Sequence, residues 1–292
     1  MNNLIYMYKY GCLGCVNAKN MSAFRSGGRQ KITLFPHSAQ ELCLVINRLK
    51  ELNEEYLIVG NCTKLLFPDK QFDKIVVNLM KIVGIEHNGN LLKVNCGETL
   101  PKICGFCKNE GLGGMHNLCG IPASLGGAIM MNAGAFGSEI SDCLIELDVV
   151  KDGEIVTLKK NDIEWGYRKC SLKNNGCVVV SGSFELDKTA VCTIDSEMKK
   201  VISLRKAKQP NQPSLGSVFK RYNNMSAGYY IEQVGLKGVI RGGAKISEKH
   251  ANFITNMGGA KSKDYVLLAE MARNKVHKEL GILLEYETII LK

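Results

Sequence analysis

Apolar positions along this chain follow two rhythms. Between 38 and 52 they recur at three- and four-residue steps, with Leu42, Val45, Ile46, Leu49 and Leu52 on one helical stripe. Ser38 and Glu41 stand in S-x-x-E order, the pattern of a capping box, so the spacing predicts a helix beginning after Ser38. Ahead of it, residues 31–35 read as a strand closed by Pro36. After it, residues 57–59 read as a short strand that runs into GNCTKLL, residues 60–66.

From 74 to 97 the rhythm changes to short apolar runs separated by turns: KIVVNLMKI, then HNGN, then LLKVNCG. A helix is expected from about Thr99 to Gly111, a stop-type glycine. A glycine-rich stretch, 111–137, follows. Strands resume at 145–151, turn at Asp152 and Gly153, and continue at 154–158 and 177–186. Residues 197–208 look helical and basic, and QPNQP at 209–213 breaks the pattern as a linker would. The last third predicts a short helix near 227–234 and a long one over 263–280, capped by Ser262 and ended by Gly281. A final strand, 282–291, would carry Glu285 and Glu287 on one face. Strands and helices mix without regular β-α-β alternation, which argues for an α+β architecture.

Composition narrows the classes. Of 292 residues, 45% are hydrophobic and 23% charged, as in an ordinary globular protein, and no apolar run is long enough to cross a membrane. The first ten residues lack the basic start and apolar middle of an export signal, so a cytoplasmic protein with no membrane partner is expected. The net charge of +10 is spread along the chain without basic blocks or an aromatic-basic signature. That pattern favours a phosphate-handling enzyme over a nucleic-acid binder. The sequence sets no oligomeric state and is compatible with a monomer. Twelve cysteines without an export signal are expected to be reduced thiols. Cys43, Cys96, Cys104 and Cys192 sit in apolar contexts and read as core residues. The C-x-x-C pairs Cys12/Cys15 and Cys104/Cys107 have zinc-ligand spacing. They are far apart, and the second falls in a predicted helix, so no metal is expected.

Several segments can carry chemistry. GIPASLGGAIMMNAGAFG, residues 120–137, has so few side chains that its main-chain N–H groups can form a nest for a pyrophosphate. GNCTK, residues 60–64, suits either a phosphate or an ordinary turn. In WGYRKCSLK, residues 165–173, Arg168 serves equally well as an oxyanion clamp or as an arginine stacked on an aromatic. Ser217 in PSLGSVFKRY reads as a cap or turn serine, and no G-x-S-x-G elbow surrounds it. Lys245, Lys249 and His250 in GGAKISEKHANFI would suit a diphosphate. Glu285 and Glu287 are solvent-side charges or an acid-base pair.

These segments occur in an order that resembles the UDP-N-acetylenolpyruvoylglucosamine reductase (UDP-N-acetylmuramate dehydrogenase) family, in its shorter subtype. The matching strings are FRSGG (24–28), VGNCTKLL (59–66), GIPASLGGAIMMNAGAFG (120–137), YRKCSLK (167–173), PSLGSVFK (213–220), AGYYIEQVGLKG (227–238), GGAKISEKHANFI (242–254) and LEYE (284–287). They cover nearly the whole chain. The resemblance implies a two-lobed FAD-binding domain of the vanillyl-alcohol-oxidase type and a C-terminal α+β domain for a UDP-sugar. The implied limits are 1–57 with the returning strand 283–292 for lobe one, 58–190 for lobe two, and 198–282 for the substrate domain.

The resemblance further implies that FAD is held by Gly60, Asn61, Cys62, Thr63, Lys64 and Leu65, and by Gly120, Ile121, Pro122, Ala123, Ser124, Gly127, Ala128, Asn132, Gly134, Ala135 and Gly137. NADPH would reduce the flavin and leave, and the enolpyruvyl UDP-sugar would then accept hydride at its methylene carbon. Arg168 matches the arginine that stabilises the developing charge, Ser217 the serine that protonates the carbanion, and Glu287 the catalytic glutamate. Tyr167, Lys220, Arg221, Lys237 and His250 match substrate contacts. Three departures stand out: GNCTK for the usual G-x-G-S-N, Arg221-Tyr222 for Asn-Pro, and LEYE for L-E-P-E. The rival reading is an FAD oxidoreductase of the same fold acting on another substrate.

Overall fold

The computed structural model describes residues 11–13 and 16–292, with side chains for 16–173 and 175–292. The stretch 1–10, the Cys12 side chain and Cys15 lie outside it. The described residues form two compact units that interleave in sequence: Ile32–Asn61 with Lys74–Leu204, and 16–31 with Cys62–Asp73 and Arg205–Lys292.

In the first unit, helix Ala39–Glu51 buries Leu42, Val45, Ile46 and Leu49, the predicted stripe. Ser38 Oγ accepts from Glu41 N at 3.1 Å. The return arm is shifted by one residue, because the Glu41 carboxylate accepts from His37 N at 2.8 Å. Strand Ile75–Asn78 lies between Ile32–Leu34 and Tyr56–Val59, parallel to both. The predicted apolar run 74–82 is a strand only to Asn78. There Asn78 Oδ1 accepts from Met80 N and turns the chain into a 3-10 helix, Leu79–Lys81.

An antiparallel sheet of five strands follows, in the order Glu154–Lys159, Leu144–Lys151, Val178–Glu185, Leu91–Asn95, Ile85–Asn88. Helix Leu100–Asn109 and the six-residue helix Leu125–Met130 bury Leu100, Ile103, Leu125 and Ile129 into the same core. Each such aliphatic side chain contributes roughly 2 kcal/mol of burial. Cys96, Cys104 and Cys107 are part of this core, and burial pushes the Cys96 and Cys107 thiols up to about 12. Cys192 is exposed, contrary to its apolar sequence context. It lies in the first turn of helix Val191–Lys208, which starts six residues earlier than its polar pattern indicates and buries only Ile194 and Val201.

The second unit has a four-stranded antiparallel sheet, ordered Ser214–Ser217, Phe253–Asn256, Ala244–Ile246, Ile240–Arg241. Helices Ala227–Gln233 and Ser262–Leu280 complete its core. Ser262 is the first helical residue rather than the cap. The end of that helix is satisfied by carboxylates: Asp69 accepts from Ser262 N (2.8 Å) and Lys263 N (3.0 Å), and Asp264 from Lys261 N (2.9 Å). Gly281 closes the helix with φ 71°, as expected of a left-handed cap.

The expected strand over 282–291 reduces to Ile289–Ile290, which pairs in parallel with Leu65–Leu66. Because the residues before it are not in a regular strand, Glu285 and Glu287 do not share a face. Glu285 is exposed and pairs with Lys220, whereas Glu287 is buried.

Candidate active site

Within the first unit, the two segments expected to hold a pyrophosphate meet. A β-carbon added at Gly60 would lie 2.1 Å from Ser124 Oγ, so only glycine allows this approach. Asn61 Nδ2 donates to Pro122 O at 2.7 Å. Ser124 Oγ also accepts from Gly127 N at the start of helix Leu125–Met130. The Asn61 and Ser124 side chains therefore tie the glycine-rich segment down through its main-chain groups.

The backbone here is strained. Among the described residues, nine other than glycine have positive φ, and three of them fall in these segments: Cys62 (48°), Asn132 (39°) and Phe136 (52°). Non-glycine residues hold such angles only where the surroundings enforce them, and strain of this kind concentrates at ligand sites. Asn132 is fully buried. Its Nδ2 donates to Glu139 Oε2 (2.6 Å) and Gly166 O (3.2 Å), while its Oδ1 has no partner. An unsatisfied buried acceptor and a cradle that tolerates no extra β-carbon both fit a large polar cofactor. Glu139 carries no signal in the sequence beyond its place just after the glycine-rich loop.

Arg168 sits in the turn between Trp165–Gly166 and Lys169–Cys170. Its Nη1 donates to Asn132 O (3.3 Å) and its Nη2 to Gly134 O (3.0 Å), and the guanidinium also lies 4.9 Å from the Tyr167 ring centre. Of the two sequence readings of this arginine, the structure shows the stacking on an aromatic, and it also ties the guanidinium to two carbonyls of the glycine-rich loop.

Within the second unit, Ser217, Glu287 and Lys64 come together. The chain at 218–220 runs beside 285–288: Lys220 N donates to Glu285 O, and both Glu287 N (2.8 Å) and Thr288 N (3.2 Å) point at Val218 O. Ile289 N donates to Lys64 O, extending the pairing of Ile289–Ile290 with Leu65–Leu66. Main-chain bonds therefore place position 64 next to 287, and 287 next to 217. Lys64 Nζ lies 2.8 Å from Glu287 Oε1 and donates to Ser217 O at 2.9 Å. The resemblance assigned Lys64 to the cofactor set, and the sequence carried no mark of its pairing with Glu287. Ser217 ends strand Ser214–Ser217 rather than capping a helix or turn.

Beside Lys64, burial pushes the Cys62 thiol up to about 12, so it stays protonated at neutral pH. His250 Nδ1 accepts from Asn252 N at 3.2 Å, and burial pushes its imidazole below the usual 6.5. Lys220 pairs with Glu285 and Lys237 with Glu232. Arg221 is exposed. No group of three or more His, Cys, Asp or Glu among the described residues is placed to hold a metal ion.

Comparisons with known proteins match this chain along its length. Residues 209–291 match the C-terminal domain of UDP-N-acetylenolpyruvoylglucosamine reductase, and residues 31–159 match an FAD binding domain. A UDP-N-acetylenolpyruvoylglucosamine reductase of Fusobacterium nucleatum is 38% identical over 94% of this chain and 97% of its own. One of Thermotoga sp. (strain RQ2) is 38% identical over 97% and 95%. The crystal structure of the reductase from Thermus caldophilus superposes with a TM-score of 0.84 at 30% identity, covering 97% of this chain and all of that one. Fold, end-to-end sequence match and the two assembled polar regions agree, and the chain belongs to the UDP-N-acetylenolpyruvoylglucosamine reductase family.

Proposed function

We propose that Arg168, Ser217 and Glu287 carry the chemistry of an NADPH-dependent, FAD-mediated reduction of UDP-N-acetylglucosamine enolpyruvate to UDP-N-acetylmuramate. The chain is an FAD-dependent oxidoreductase of peptidoglycan precursor synthesis, with a vanillyl-alcohol-oxidase-type FAD-binding domain and a C-terminal substrate domain. The proposed limits are 1–57 with 283–292, 58–190, and 198–282. The observation that carries the reading is the buried Glu287 meeting Ser217 and Lys64 within a chain matched end to end by reductases. Retention of all three catalytic positions favours this substrate over another one on the same scaffold.

FAD, when bound, supplies the two-electron relay between nicotinamide and substrate. The residues of 60–65 and 120–137 would hold it. Two carbonyls fix the Arg168 guanidinium in advance, so its charge meets the negative charge that develops on the enolpyruvyl carboxylate without reorganising. The Ser217 hydroxyl donates the proton to the carbon next to that carboxylate. Glu287 is the second proton-handling group of the cluster, and its charge is compensated by Lys64. Tyr167, Lys220, Arg221, Lys237 and His250 bind the UDP-sugar. No helix among the described residues is long and apolar enough to cross a membrane, and the reading takes the enzyme to be cytoplasmic.

An anaerobic absorption spectrum tests this reading. The purified protein is expected to show a flavin band that bleaches with NADPH and returns when the enolpyruvyl UDP-sugar is added. A chain that cannot be loaded with FAD, or whose reduced flavin ignores that substrate, refutes it.

A further inference from the structure

We propose that Lys64 is a positioning residue for the substrate half of the reaction. Its ammonium bridges the Glu287 carboxylate and the Ser217 carbonyl, and so fixes the two proton-handling residues relative to one another. The proposal rests on the assignment of Ser217 and Glu287 to that half.

Three observations converge on Lys64. Its Nζ lies 2.8 Å from Glu287 Oε1 and 2.9 Å from Ser217 O, residues from two segments far away in the chain. Glu287 is 8% exposed, and a carboxylate buried to that degree is stable as an ion only beside a matching charge. The path of the lysine is also cleared. Gly216 has φ 70°, and a β-carbon there would come within 3.3 Å of Nζ. The backbone that presents Ser217 is therefore shaped around the ammonium. An ammonium is a compact charge with three donors, and it can satisfy a carboxylate and a carbonyl at once. An amide at position 64, as in the family's usual G-x-G-S-N, brings donors without charge.

The same contact gives Lys64 a role that cofactor binding does not require. A cofactor contact affects flavin retention and both half-reactions. A bridge between Glu287 and Ser217 affects the step in which the substrate is protonated.

The experiment uses the full-length, FAD-loaded protein under anaerobic rapid mixing, following the flavin band. NADPH reduction and reoxidation by the enolpyruvyl UDP-sugar are timed separately. Lys64→Met is expected to slow reoxidation relative to reduction by about a hundredfold, the size of a one-ångström misplacement of a reacting group. Lys64→Arg, which keeps the charge and its donors, recovers most of that loss. The double variant Lys64→Met with Glu287→Gln is expected to be no slower than Glu287→Gln alone. Equal loss in both half-reactions, unchanged reoxidation, or additive losses in the double variant overturn the proposal. Should Lys64→Met fail to fold or retain flavin, Lys64→Gln replaces it in the same comparison and the same outcomes decide. If the wild-type protein itself is not reoxidised by substrate, the underlying assignment fails and the proposal falls with it. A selective Lys64 defect in a competent wild type supports both.

Discussion

The two polar regions are built in opposite ways. In the first unit, polar side chains are held on main chain: Gly60 packs on Ser124, the Asn61 amide donates to Pro122 O, and Arg168 donates to two carbonyls. In the second, the cluster is side-chain charge: an ammonium, a buried carboxylate and a serine at a strand end. Main-chain sites tolerate change in side-chain chemistry but no change in volume, because nothing can move aside for an added atom. Charge clusters tolerate modest changes in volume but not the loss of one partner, which strands the other in a dry place.

This contrast is open to tests in descending order of expected effect. Ser217→Ala should slow reoxidation of the flavin by substrate about a thousandfold, within the range of proton-transfer catalysis, while reduction by NADPH keeps its rate. Rapid mixing reads both, and parallel losses would show that the hydroxyl has another task. Gly60→Val should weaken FAD binding by about 10–100-fold, since overpacking costs about 1–3 kcal/mol and each tenfold is 1.4 kcal/mol. Fluorescence titration of the flavin-free protein measures it. If Ser217→Ala weakens FAD binding as much as Gly60→Val does, the division between a volume-sensitive and a charge-sensitive region is lost.

The smallest effect concerns His250. Burial depresses its folded-state pKa below 6.5, so the unfolded chain binds the proton more readily. Stability from this residue is complete above 6.5 and is lost as pH falls through 6.5 toward the folded value. Thermal unfolding midpoints at about pH 7.5 and about pH 5.5 should therefore differ less in His250→Gln than in the wild type. An unchanged difference would assign the acid sensitivity elsewhere.

Much of this was legible before any fold was seen, for reasons that differ by residue. The helix Ala39–Glu51 announced itself because its buried stripe is local and strictly periodic. The glycine-rich loop was legible because a surface made of main chain must be written in small residues. The meeting of Lys64 with Glu287 was not. Each looks like any charged residue in its own segment, and only the pairing of Ile289–Ile290 with Leu65–Leu66 brings them together. Asp69 is a similar case. It caps helix Ser262–Leu280 from 193 residues away, so the sequence offered adjacent Ser262 in its place. Glu285 and Glu287 misled because a two-residue period holds only in a strand, and the chain there is irregular. Cys192 misled because its apolar neighbours lie along a helix that faces solvent on most sides.

The Asp69 cap has a consequence for how the protein is made. On a growing chain, residues 62–73 emerge early, yet their partners at Ser262 and Ile289 come much later. Closing loops of that length is slow, because entropy is lost before any contact rewards it. The first unit can settle while translation continues. The second has to keep Leu66, part of its core, without the pairing to Ile289–Ile290 until the end of the chain is made.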